Sequence, residues 1–133
     1  MNPWIKRFGC FSIDPGRTTV NESLDHAAEL LSTPGNLVLI FPQGNLESSH
    51  VREIVIKDGI DYIIPRIKNN CQLIWSSNIT EYFESLKPSV YFHMLDCGTN
   101  MDFELGTLKE KINRHHKEAI QKQFRFTDEQ KLT

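Results

Sequence analysis

The sequence predicts an α/β fold, a layered α/β sandwich on a mostly parallel or mixed sheet. Three observations carry that expectation. Leu37-Val38-Leu39-Ile40-Phe41 is an unbroken apolar run of strand length, two of its residues β-branched, and reads as a strand buried on both faces. Ahead of it, from about Thr18 to Ser32, Val20, Leu24, Ala27, Ala28 and Leu31 recur at helical spacing. Ahead of that lies a short strand, Cys10–Ile13, closed by the turn signal Asp14-Pro15-Gly16. Strand, helix and strand within about thirty residues make a βαβ unit with a right-handed crossover. Cys10–Ile13 and Leu37–Phe41 are then a parallel pair, and the turns that follow them open on the same sheet edge.

A chain of 133 residues holds one domain, taken as residues 1–133, with room for a real core but not for two. With 39% apolar and 24% charged residues the composition is that of a soluble globular protein. A formal net charge of −2 supplies no general attraction for nucleic acid or an anionic membrane. No run approaches the ~18 apolar residues of a membrane span, and the N-terminus lacks the apolar core of a signal peptide. Cys10, Cys71 and Cys97 are odd in number and widely spaced, as in a reduced, cytoplasmic protein without a disulfide frame or metal site.

Along the chain, Trp4, Ile5 and Phe8 share one helical face before Gly9, which suits packing or contact with a membrane surface. Thr19 and Glu22 have capping-box spacing, Pro34-Gly35 marks the end of the first long helix, and His26 falls opposite its apolar stripe. Glu53–Lys57 is β-like, and Asp58 is placed to cap a helix through Ile60, Ile63, Ile64 and Ile67, with Pro65 kinking it or leaving Tyr62–Ile67 extended. Gln72–Trp75 reads as a strand ended by Ser76-Ser77-Asn78, Glu81–Leu86 as a helical turn, and Ser89–Leu95 as the last strand, with 96–100 a loop. Asp102 to about Phe124 reads as a helix with the stripe Leu105, Leu108, Ile112, His115 and Ala119, and His115-His116 as structural or exposed.

The candidate site follows from the fold class. Ligands of open α/β sheets sit beyond the carboxyl ends of the strands. Pro42 and Gly44 stop the central run and turn the backbone, which delivers Gln43 and Asn45 onto that rim. Asp14 and Arg17 lie on the neighbouring turn, and Arg52 and Lys57 are further cations near it.

On these residues the chain resembles the glycerolipid acyltransferases, the family that includes the 1-acylglycerol-3-phosphate acyltransferases. Gly9-Cys10-Phe11-Ser12-Ile13-Asp14 matches the family's Gly-x-x-Phe-Ile-Asp-Arg block, with Arg17 displaced by Pro15-Gly16. Phe41-Pro42-Gln43-Gly44-Asn45-Leu46-Glu47 matches its Phe-Pro-Glu-Gly-Thr-Arg-Ser block, and Lys57-Asp58-Gly59 its Lys-x-Gly. The family's Val-Pro-Val strand falls near Leu73–Trp75 by spacing, with Ile64-Pro65 as the competing match. The likeness spans roughly residues 2 to 95.

The resemblance implies transfer of an acyl group from acyl-CoA or acyl-carrier protein to a hydroxyl of a lipid or glycerolipid acceptor, with no bound cofactor or metal. It further implies peripheral membrane contact and no nucleic-acid partner. Asp14, Arg17, Phe41, Pro42, Gln43, Gly44, Asn45 and Lys57 are then the substrate-binding residues. The family's His-x-x-x-x-Asp motif, in which His is the general base, is absent: the residues five beyond His26, His50, His93, His115 and His116 are Leu31, Val55, Gly98, Ile120 and Gln121. Leu46 stands where the family's Arg holds a phosphate, and Gln43 replaces a carboxylate by an amide. The expectation is an N-terminally truncated acyltransferase domain, inactive alone and self-associating through an exposed edge. The alternative is a non-catalytic α/β module that binds a lipid headgroup or a protein; a His-x-x-x-x-Asp encoded upstream would favour the enzyme.

Overall fold

A computed structural model describes residues 9–10, 19–45, 47–48, 51–82 and 85–123. In order, the described elements are helix α1 (Thr19–Leu31), helix α2 (Gly59–Ile63) running into a 3₁₀ turn (Ile64–Arg66), strands β1 (Gln72–Glu81) and β2 (Ser89–Thr99), a 3₁₀ turn (Asn100–Asp102) and helix α3 (Leu105–Lys122). The fold is mixed α/β. Its described sheet is one antiparallel hairpin, β1–β2, with Ser77 opposite His93 and Asn78 opposite Phe92.

Among the described residues there are two small cores. In the first, Leu24, Ala27 and Ala28 of α1 bury against Ile63 of α2, with Val38, Ile40 and Tyr62 packed around them. The small residues Ala27 and Ala28 let the short α2 approach closely. In the second, Ile112 of α3 meets Ile54 and Ile56, with Trp75, Cys97, Leu105 and Leu108 around them. The two are joined through the Ser32 region. The Ser32 hydroxyl donates to Ala28 O (2.7 Å) and accepts from Lys68 N (2.9 Å), and the Asn69 amide donates to Ser32 O. Asn100 then ties this segment to the hairpin, its Oδ1 accepting from Cys71 N at 2.7 Å.

Several expectations are corrected here. Leu37–Phe41 belongs to no strand and is not buried on both faces: Leu37 is 91% exposed, and Leu39 and Phe41 are each 76% exposed. Only Val38 and Ile40 turn inward, so the run alternates like a half-buried extended chain. Its unbroken apolar character therefore reflects two faces, one packed on α1 and one open to solvent. The parallel pair with Cys10–Ile13 is not among the described residues, since 11–18 lie outside them. The hairpin is also longer than expected. β1 runs on through Ser76-Ser77-Asn78 to Glu81, and β2 includes 96–99, the first expected as a stop and the second as a loop. Polar residues end a strand only if they lack partners, and Ser77, at 3% exposure, has two.

The helices form where the pattern put them, but Glu53–Lys57, read as β-like, belongs to no strand, and Glu81, read as the start of a helical turn, is the last residue of β1. Helix α1 matches its stripe, and Pro65 is accommodated because α2 changes there to a 3₁₀ turn that tolerates proline at its start. Asp58 occupies the N-cap position of α2 without a side-chain bond. Helix α3 starts at Leu105, after a cap by Glu104, whose carboxylate accepts from Gly106 N and Thr107 N. Those bonds, first the one with the Thr107 side chain and then those with the backbone N–H groups, hold the Glu104 pKa below its usual value. That end of α3 accordingly weakens as pH falls through the carboxylate range.

Candidate functional site

The predicted rim residues fall into two groups. Asp14 and Arg17 lie outside the described residues. The others converge, although among the described residues no parallel sheet aligns them. Phe41-Pro42-Gln43-Gly44 is a β-turn closed by Gly44 N–H donating to Phe41 O at 3.2 Å. Pro42 supplies the fixed φ that favours the second position of such a turn.

Gly44 is at φ +66, in the left-handed region. A Cβ on it would lie 3.0 Å from Cδ and 3.2 Å from Nζ of Lys57, a contact the flexible, exposed lysine can relieve by a small shift, so it is the backbone conformation that calls for glycine. Lys57 then closes on the turn from the far side. Its backbone N–H donates to Pro42 O (2.9 Å), and its ammonium donates to Asn45 Oδ1 (3.1 Å). Two sequence blocks a dozen residues apart thus form one structure: a turn with a cation lying across its glycine.

Electrostatically the turn has two sides. Lys57 lies on one. On the other, Gln43 Nε2 donates to the Glu47 carboxylate at 2.7 Å. A carboxylate thus stands beside Gln43 despite the amide at position 43. Gly44, Asn45, Glu47 and Lys57 are all exposed, so an anion would meet Lys57 and the Asn45 amide in water-accessible surroundings. The strength of such a contact is modest and falls with salt. Phe41 offers its ring to solvent beside the turn. Arg52 is exposed on the neighbouring segment.

The sequence reading missed what positions Lys57. Residues 51–57 are held by helix α3: Asn113 Oδ1 accepts from Ile54 N (2.7 Å), and its amide donates to Ile54 O (3.1 Å). His116 Nε2–H donates to Val51 O at 3.0 Å. His116 is 9% exposed, a buried structural histidine one position beyond the apolar stripe. The signal that could have found both is their spacing. Asn113 and His116 lie three apart, so they share a helix face that carries Ile112 beside them.

Two further histidines, His93 and His115, make hydrogen bonds between the hairpin and the end of the chain's last described helix. His115 Nε2–H donates to His93 O at 2.9 Å, and the Gln123 amide donates to His93 Nε2 at 2.8 Å. Burial first, then the charges of Lys122 and His115, push the His93 pKa down. Burial also raises the thiol pKa of Cys71 and of Cys97, and all three cysteines are free. A cavity of about 80 Å³ lined by Cys97, Phe103, Glu104, Thr107 and Lys111 is too small for a substrate beside the several hundred Å³ of ordinary ligand pockets.

Among the described residues, no group of three or more His, Cys, Asp and Glu is placed to hold a metal ion, and no helix is long and apolar enough to cross a membrane. Comparison of the chain with family models, curated proteins and solved structures finds no significant match.

Proposed function

We propose that the chain is the acceptor-binding part of a glycerolipid-type acyltransferase, in which the Pro42–Asn45 turn and Lys57 recognise an anionic acceptor. The observation that carries this reading is the closure of Lys57 across Gly44, which joins the chain's Phe-Pro-x-Gly and Lys-x-Gly blocks. A lysine is a point charge on a flexible stem, suited to a phosphate that is held without bidentate geometry. It takes the part that Leu46 cannot. In this reading the domain is a layered α/β sandwich with a parallel or mixed sheet, and Asp14 and Arg17 serve the acceptor together with the turn. The acyl donor is acyl-CoA or acyl-carrier protein, and the protein works in the cytoplasm at the membrane periphery. The general base lies outside these residues, since no His-x-x-x-x-Asp occurs in them.

Calorimetric titration with glycerol 3-phosphate tests the reading. Expected are saturable binding, a fall in affinity as salt rises, and loss of most binding in Lys57→Ala. Absence of binding, or equal binding by that variant, contradicts it. The purified chain is further expected to release no thiol from acyl-CoA in the presence of a lysophospholipid; turnover would overturn the placing of the base.

The non-catalytic module is favoured by one observation, the openness of the turn, whose Gly44, Asn45 and Lys57 are exposed. Such a module would bind the same headgroup or a protein without chemistry. In either case Leu37, Leu39 and Phe41 lie exposed in a run without charge, the condition in which strands add to one another. Sedimentation should show concentration-dependent self-association, reduced by Leu39→Lys. A clean monomer at all concentrations would remove this expectation.

A further inference from the structure

Helix α3 covers one face of the β1–β2 hairpin: Trp75 and Cys97 pack around Ile112, and Ser77 meets His116. Side chains alternate along a strand, so every second residue belongs to the other face. There Ile74, Val90, Phe92 and Met94 are each half to two-thirds exposed. They share that face with the polar residues set opposite them: Asp96 faces Ile74, Thr80 faces Val90, Asn78 faces Phe92 and Ser76 faces Met94. Of these residues Asp96 alone is charged. It lies at one end, and its carboxylate accepts from Gly98 N–H at 2.9 Å. The central polar pair is bonded within itself, the Ser76 hydroxyl donating to Asn78 Oδ1 at 2.6 Å. The middle of the face can therefore lose its water without stranding a charge.

We propose that two copies of the chain meet through this hairpin face, strands antiparallel, as the inner layers of an α–β–β–α sandwich. Two properties of the face call for a second copy. Sheets pack face to face at about −30° because each is twisted, and two copies of one hairpin carry the same twist. A two-fold axis also brings each apolar side chain into the contact twice. Asp96 selects the direction. Parallel strands would set the two Asp96 carboxylates against each other, whereas antiparallel strands hold them at opposite ends, about 20 Å or more apart. With the axis through the middle of the face, Phe92 lies over Met94 of the second copy, and Asn78 over Ser76 of the second copy. The first contact sets a ring against a polarisable thioether, and the second gives the Asn78 amide a hydroxyl to donate to. The ten residues of β1 and eleven of β2 make a face two strands wide, which at ~4.8 Å per strand and ~3.4 Å per residue buries on the order of 500 Å² per copy. The total, about 1,000 Å², stands at the lower bound for a specific interface and fits a reversible dimer, not a permanent one. The contact involves neither the Pro42–Asn45 turn nor the Leu37–Phe41 run.

Sedimentation of the whole chain, with amide chemical shifts followed over the same concentrations, tests this. Expected is a monomer–dimer equilibrium at roughly tens to hundreds of micromolar, with concentration-dependent shifts at Ile74, Asn78, Phe92 and Met94. Phe92→Lys puts a charge in the middle of the face and should raise the dissociation constant at least about tenfold. Met94→Lys should do the same, and decides the matter should the first variant fail to fold. Leu39→Lys leaves the hairpin shifts in place, which separates this contact from association through the Leu37–Phe41 run. A short bismaleimide should bridge two copies of Asn78→Cys above the wild-type background, but not two copies of Asp96→Cys, whose thiols stand at opposite ends. Hairpin shifts that do not change with concentration overturn the proposal, as does their loss in Leu39→Lys. Undiminished dimerisation of a folded Phe92→Lys or Met94→Lys overturns it as well. Bridging of Asp96→Cys contradicts the antiparallel arrangement and sinks the proposal with it.

Discussion

Replacing Asn113 with alanine should destabilise the protein by about 2–4 kcal/mol, read as a lower denaturant midpoint. The figure follows from what its amide does. Ile54 is 8% exposed, and its N–H and C=O find their partners at 2.7 and 3.1 Å on this one side chain. Alanine leaves both groups without a partner in a place with little water, at about 1–3 kcal/mol each. It also removes the bond from the Asn113 amide to Lys109 O, but that carbonyl lies within the helix and its loss weighs less. The effect should extend beyond stability. Ile54 and Ile56 anchor the segment that ends at Lys57, so the variant should also bind glycerol 3-phosphate more weakly, though Asn113 does not belong to the turn. Asn113→Asp keeps the acceptor for Ile54 N and loses the donor, and an intermediate cost is expected. A cost near zero for Asn113→Ala would mean that water replaces the amide at Ile54.

Ile63→Ala should cost about 3–5 kcal/mol, the upper part of the range for isoleucine truncation. Ile63 is 2% exposed and sits where α2 meets α1. Its neighbours there include Ala27 and Ala28, which have no side-chain length with which to fill a cavity. Val38 and Ile40 lean on the same cluster from the other side, so the cavity also undercuts the approach to the candidate turn. Ile63→Val should cost far less, about 1 kcal/mol, because it removes a single methylene. Thermal unfolding of the pair separates packing from a general effect of substitution at this position. Similar losses for both variants would show that the site collapses around the smaller side chain.

Local features were readable from the residues, and pairings were not. The stripe of α1, the punctuation at Pro34-Gly35 and the turn at Pro42–Gly44 each depend on neighbours close in sequence, and each appears where its chemistry put it. The nature of Leu37–Phe41 depends on what lies beside it, and five apolar residues look the same whether one face or two are covered. Ser76-Ser77-Asn78 misled for a related reason. Serine in mid-strand looks like an end unless the indole of Trp75 and the imidazole of His116 are known to reach it. The candidate site was legible as two motifs, but their meeting was not. It rests on the Lys57 N–H to Pro42 O bond and on Asn113, a residue in a helix that the sequence marks only by an apolar stripe.

The central claim is that Phe41-Pro42-Gln43-Gly44-Asn45 and Lys57 act as one anion-recognising unit. The measurement that tests it most directly is a titration with glycerol 3-phosphate followed by amide chemical shifts across the whole chain. Saturable shifts centred on Gly44, Asn45 and Lys57, and their loss in Lys57→Ala, are the predicted result. Shifts centred elsewhere, or shifts at the turn that persist without the lysine, would contradict it.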